Sequence, residues 1–148
     1  MRFAKKVVVA VGLNNEMTLL LKPLRNMDFL SHSEIHFVHV FNTITYTTMF
    51  SEFPMIYPVK ADQKAIEQSV LAFLAQASHD FVAQNFEGKI IHRCLFDDRP
   101  KESFSNYVSE VKADLVIVPT RQKRGLFEGS FAQYVSKHTQ ASMIFLKQ

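Results

Sequence analysis

Cysteine occurs once in this chain of 148 residues, at Cys94. No internal disulfide can form, so a reducing, cytoplasmic setting is expected. Glycine is scarce as well, with only Gly12, Gly88, Gly125 and Gly129. A dinucleotide fingerprint needs three glycines within one short window, because bare backbone must approach the pyrophosphate; a Walker loop needs two, followed by Lys and Ser or Thr. Neither spacing occurs, which excludes the conventional nucleotide motifs. Long hydrophobic runs are missing too. The most continuous, Val7 to Val11 and Val70 to Ala75, fall far short of the ~18 residues of a membrane span. Arg2, Lys5 and Lys6 ahead of the first run imitate a secretory leader. The apolar stretch is too short for one, and no small-residue cleavage pattern follows. Finally, charge of one sign is nearly balanced: 17 Lys and Arg against 14 Asp and Glu, a net +3. So small a surplus argues against nucleic acid as the main partner. With 47% apolar residues, the chain has enough material for one buried core and is not disordered.

What is present alternates strand and helix. Val7 to Val11 is a β-branched run that reads as a buried strand, with Gly12 and Asn14-Asn15 predicting a turn and a helix cap. Glu16 to Leu30 carries Leu20, Leu24 and Met27 at helical spacing, interrupted by Pro23, which should kink or restart the helix. Ile35 to Phe41 is a second strand, and Thr43 to Pro58 an irregular segment. From Ala61 the series Ile66, Val70, Phe73, Leu74, Ala77, Phe81 and Val82 predicts a long amphipathic helix closed by Gly88. Lys89 to Leu95 is a third strand. Asp97-Asp98 and Pro100 open a helix whose core face is Phe104, Tyr107, Val108 and Val111. Leu115 to Val118 is a doubly buried strand. Ser130 and Gln133 have capping-box spacing for a last helix ending near His138, and Met143 to Leu146 is a fifth strand. The order predicts one α/β domain over residues 1–148, an open five-stranded parallel sheet with helices on both faces. Ligands of such sheets sit beyond the carboxyl ends of the strands. That brings Gly12, Asn42 and the loop after Val118 together.

The tail, Ala113-Asp114-Leu115-Val116-Ile117-Val118 through Gly129-Ser130 to Ile144-Phe145-Leu146, resembles the universal stress protein family. The opening Val8-Val9-Ala10-Val11 and the Val38-His39-Val40 of the second strand are similar to its other recurring stretches. The resemblance implies strand order 3-2-1-4-5 and a stress-response role. In the family's nucleotide-binding branch the first strand ends in an Asp that contacts the nucleoside; Gly12 stands there in this chain. The same branch carries Gly-x-x-Gly, a spacer and Gly-Ser/Thr around the phosphates. Pro119 and Gln122 replace the first two glycines, and only six residues, Lys123 to Glu128, separate Gln122 from Gly129. Pro119 has no N–H for a phosphate, and Gln122 adds a side chain where backbone would approach. The resemblance thus points to a member that does not bind ATP in the usual way. No cofactor is expected, with ATP the one left open.

The candidate ligand-binding set is Val11, Gly12, Val40, Pro119, Thr120, Arg121, Lys123, Gly129 and Ser130. Arg121, Lys123 and Arg124 precede a helix N-terminus, where N–H groups favour anions. They read either as a residual phosphate site or as ordinary solvated charge. Thr43 to Pro58 is unusually apolar. Met49, Phe50 and Phe53 read as a lid over an apolar ligand, as a surface for a partner protein, or as a loop folded on its own core.

His36 and His39 point to opposite faces of a strand and cannot share a metal. Cys94 reads as a small buried apolar residue, and no catalytic constellation occurs. In the family's strand order the last strand lies at the sheet edge, with Met143 and Phe145 on one face and Ile144 and Leu146 on the other. An uncovered apolar edge is an aggregation hazard, and the resemblance implies that a second subunit covers it through a two-fold axis. These readings converge on a cytoplasmic homodimeric binding or adaptor module that is not itself an enzyme. The alternative is a nucleotide switch or weak ATPase with an altered loop.

Overall fold

Val7, Val8 and Val9 are completely buried because β1 (Lys6–Ala10) runs through the middle of the sheet and is covered on both faces. β-branched side chains suit that place, since their stiff χ1 packs well on a pleated surface. The computed structural model describes residues 5–13, 18–43, 60–82, 85–120 and 130–147, without the side chains of residues 60–62 and 130. Around β1 lie β2 (Glu34–Asn42), β3 (Lys89–Asp97), β4 (Leu115–Thr120) and β5 (Ser142–Lys147), in the order β3-β2-β1-β4-β5. All four pairings are parallel, and Val8 stands level with His36 on one side and Val116 on the other. This is the sheet and strand order expected.

The alternation of side chains along the strands builds two cores. Val7, Val9, Phe37 and Ile117 face α1 (Lys60–Phe81), whose Val70, Leu74 and Ala77 are buried against them. Val8, Val38 and Val116 face α2 (Pro100–Glu110) and α3 (Ser130–His138), where Phe104, Val108 and Val135 close the second core. Fully burying side chains of this size stabilises the fold by about 1.5–3 kcal/mol each.

Polar groups fix how the layers meet. The Asp114 carboxylate accepts the N–H groups of Lys5 and Lys6, at 3.1 and 2.9 Å, so the start of β4 is tied to the start of β1. On the α2 face, the His36 ring lies 2.6 Å from the Tyr107 hydroxyl and 2.9 Å from a Glu34 carboxylate oxygen. An ionised carboxylate only accepts, so Nε2–H donates to Glu34, and in the neutral ring Nδ1 accepts from Tyr107.

Three expectations are corrected. Residues 22–30 form two short 3₁₀ turns, Lys22–Asn26 and Asp28–Leu30, rather than a continuing α-helix. The N–H groups of Leu21, Leu24, Met27 and Leu30 all donate three residues back, the tighter pattern that Pro23, lacking an N–H, tolerates at its turn's start. The long helix ends at Phe81, well before Gly88. Gly88 instead lets the chain pass tightly under Ser33: a Cβ there would collide with the Ser33 carbonyl oxygen. Asp97 does not cap α2. The cap position is Arg99, without a side-chain cap bond, and Asp97 accepts the Arg99 N–H at 2.9 Å in a local turn. The Asn14-Asn15 cap and the segment from Ile44 to Pro58 lie outside the described residues, as does the side chain of Ser130.

Candidate functional site

At the carboxyl end of β1 the Val11 N–H still donates to Val38 O, at 2.9 Å, and Gly12 then leaves the sheet. The Thr18 hydroxyl donates to the Gly12 carbonyl at 3.3 Å, which holds the departing chain. A cavity of about 250 Å³ opens here over the ends of β1, β2 and β4. Its floor is Ala10, Val11 and Gly12; Val38, His39 and Val40 form one wall, with Val118 and Pro119 opposite. Pro100 and Phe104 of α2 and Phe131 of α3 close the side. The two phenyl rings pack at 5.2 Å between centroids, tilted by 59°.

The electrostatics of the site are as spare as its walls are apolar. His39 is the one titratable group among the described lining residues. Its Nδ1 stands 2.8 Å from the Val11 carbonyl. A carbonyl only accepts, so Nδ1 carries the proton. Burial pushes the imidazole pKa down, partly offset by that bond, and the ring is neutral at pH 7. No charged side chain reaches the cavity from the described residues.

Of the candidate ligand-binding residues, Val11, Gly12, Val40 and Pro119 are brought together here. Thr120 is buried at the end of β4 beside Lys147 and does not line the cavity. Arg121, Lys123 and Gly129, and the lid residues Met49, Phe50 and Phe53, lie outside the described residues. Ser130 is the first residue of α3. Sequence reasoning missed Ala10, Val38, His39, Pro100, Phe104, Val118 and Phe131. Val38 was within reach of it, two residues from Val40 on the same face. His39 carries no signal in the sequence beyond its place on the second strand, and the α2 and α3 residues come from elements far along the chain.

The other singled-out residues fall into plain places. His36 is buried against Tyr107, and His39 reaches the Val11 carbonyl. Among the described residues no three His, Cys, Asp or Glu side chains gather as a metal site. Cys94 is half-buried; burial first, and then the Glu67 charge, push its thiol up to about 11, so it stays protonated at neutral pH. Ile144 and Leu146 pack on the α1 core and Met143 on the other, while Phe145 is 42% exposed. No helix among the described residues is long and apolar enough to cross a membrane.

A five-stranded parallel sheet of this order, with a crevice beyond the strand ends, defines a doubly wound α/β binding fold. More particularly, the chain belongs to the universal stress protein family, whose sequence model matches residues 4–147. No curated protein matches the sequence. Solved structures do. A hypothetical protein whose biochemical function was assigned from its structure is similar at a TM-score of 0.74 and 13% identity, covering 99% of this chain and 98% of that one. A universal stress protein in complex with cAMP is similar at 0.63 and 14%, covering 99% and 98%. The universal stress protein of Archaeoglobus fulgidus in complex with dAMP is similar at 0.61 and 15%, covering 99% and 100%. At such identities these likenesses establish the fold.

Proposed function

We propose that this universal stress protein is a stress-response binding or adaptor module that takes a small ligand in the strand-end crevice without the usual phosphate cradle. The observation that carries this is the cavity of about 250 Å³ whose described walls are uncharged, with Gly12 where a nucleoside-binding carboxylate would stand and Pro119 where a phosphate-binding glycine would. An ATP phosphate chain gains nothing from such walls, because a desolvated anion needs donors or opposite charge. The protein binds rather than catalyses. In this reading Val11, Gly12, Val40 and Pro119 touch the ligand, with Thr120 supporting them. Met49, Phe50 and Phe53 form the lid or the surface for a protein partner. The working form is a cytoplasmic homodimer joined through Met143, Ile144, Phe145 and Leu146, supported by the position of β5 at the sheet edge and the exposure of Phe145.

Calorimetric titration with ATP, with and without Mg²⁺, tests the reading. No heat and no melting shift up to millimolar ATP are expected; low-micromolar binding would overturn it. A second reading, a nucleotide switch using Arg121, Lys123, Gly129 and Ser130, is favoured by the cAMP and dAMP complexes among the similar structures. Tight ATP binding lost on Arg121→Ala and Lys123→Ala would establish it instead.

A further inference from the structure

The edge of the sheet opposite β5 is formed by β3, and it is a long one. All nine residues of β3, Lys89–Asp97, stand level with β2 residues from Glu34 to Asn42. Among the described residues no strand pairs with its outer side. Such an edge presents a row of N–H and C=O groups to any extended chain that fits it.

The sequence of this edge fits a second copy of itself, with one exception. Ile90 and Cys94 pack toward the α1 core and Leu95 toward the other, so by alternation Lys89, Ile91, Arg93, Leu95 and Asp97 share the α2 face. A two-fold axis perpendicular to the sheet beside Arg93 sets a second β3 antiparallel to the first and continues each layer. Lys89 then stands opposite the partner's Asp97, and Ile91 opposite the partner's Leu95. On the α1 face Ile90 stands opposite the partner's Phe96. Opposite charges and apolar pairs in these positions stabilise antiparallel strands. The exception is at the axis, where Arg93 meets the partner's Arg93, and like charges directly opposite are destabilising. Arg93 is exposed, whereas Ile91 and Leu95 on either side of it are half-buried.

We infer that the β3 edge is a self-association surface for a second copy of this chain, complementary along its length and kept unpaired by the opposition of the two Arg93 charges. It lies across the sheet from β5 and does not depend on the crevice. Pairing there in addition to pairing at β5 would join the protein into open ribbons, and the charge at Arg93 stops that growth.

Arg93→Glu tests this, because like charges still meet when the variant is alone, while opposite charges meet when it is mixed with the unaltered protein. In sedimentation velocity at high micromolar concentration, each protein alone should keep the same mass. An equimolar mixture should form larger species, with an average mass about twofold higher or more. Adding Lys89→Glu to both components should reverse this, since an acidic side chain would then face Asp97 at each end. The Lys89 side chain is 71% exposed, so that change should leave the fold intact by circular dichroism. A mixture of unchanged mass would overturn the inference, and is what a role of Arg93 confined to the nearby Tyr107 hydroxyl would give. Association of Arg93→Glu alone would overturn the charge opposition, and mixed association that survives Lys89→Glu would overturn the antiparallel register. Should Arg93→Glu fail to fold, Arg93→Thr decides: its mass should grow with concentration without any mixing, and an unchanged mass overturns the proposal.

Discussion

The Tyr107 hydroxyl lies 2.6 Å from Nδ1 of the buried His36 ring, and this contact joins α2 to the second strand of the sheet. It is one link in a longer chain, since the His36 ring also donates to Glu34 from its other nitrogen. Removing the hydroxyl leaves a buried ring nitrogen without a partner. Tyr107→Phe should therefore lose about 1–2 kcal/mol of stability in urea denaturation with the slope unchanged. A loss below about 0.3 kcal/mol would show that water replaces the hydroxyl.

The other end of that chain predicts a pH dependence. The hydrogen bond from His36 holds the Glu34 carboxyl below its ordinary value of 4.5; burial, the next-largest effect, opposes it, and the nearby charges of Lys6 and Lys89 assist it. A carboxyl with a depressed folded pKa adds stability above its unfolded pKa, and that stability disappears as pH falls through the folded value. Stability should decline below about pH 4.5, and Glu34→Gln should flatten that part of the curve. A Gln variant with the same acid slope would assign the decline to other carboxylates.

Gly88→Ala is expected to be costly although the position is not left-handed. The added methyl meets the Ser33 carbonyl oxygen and, at 2.7 Å, the Phe86 ring. The ring can turn aside; the backbone oxygen, where Lys89 N–H donates at 3.1 Å, is part of the β2–β3 entry. Thermal melting should show a loss of about 1–3 kcal/mol. An unchanged melting temperature would mean that the turn shifts at no cost.

Phe145 is the cleanest probe of the proposed dimer. Its ring is 42% exposed on the edge strand, whereas Ile144 packs on the α1 core. A charge at Ile144 would confound folding with association. Phe145→Glu should stay folded by circular dichroism and sediment as a monomer; a variant that remains dimeric would place the interface elsewhere.

The thiol of Cys94, pushed up to about 11 by burial and by Glu67, should react slowly. At pH 8 iodoacetamide labelling of the folded protein should run about a hundredfold slower than that of a free thiol, and should accelerate as pH rises toward 10. Labelling as fast as that of the urea-unfolded chain would contradict this.

The two ends of the candidate site differ in how readable they were. Gly12 and Pro119 close strands whose apolar runs are plain in the chain, so their meeting at the carboxyl edge follows from parallel order alone. Phe104 and Phe131 are separated by a whole strand, and their apposition at 5.2 Å is a product of α2 packing beside α3. The helical spacing of Leu20, Leu24 and Met27 was misleading for a related reason. Leu20 and Leu24 are four apart, but Leu21, Leu24, Met27 and Leu30 repeat every three residues, which suits the 3₁₀ turns that form.

Local chemistry by itself determined that strands and helices alternate, that β1 and β4 are buried on both faces, and that the glycine-based nucleotide motifs are missing. Those are properties of short stretches, set by side-chain shape, periodicity and backbone freedom. Only the tertiary structure decided that His39 commits Nδ1 to the Val11 carbonyl, that Glu34, His36 and Tyr107 form one chain, and that Gly88 passes under Ser33. Each of these joins residues brought together by register or by the packing of a distant element. Such distances are fixed by the whole fold, because no single segment carries both partners and the backbone that positions them.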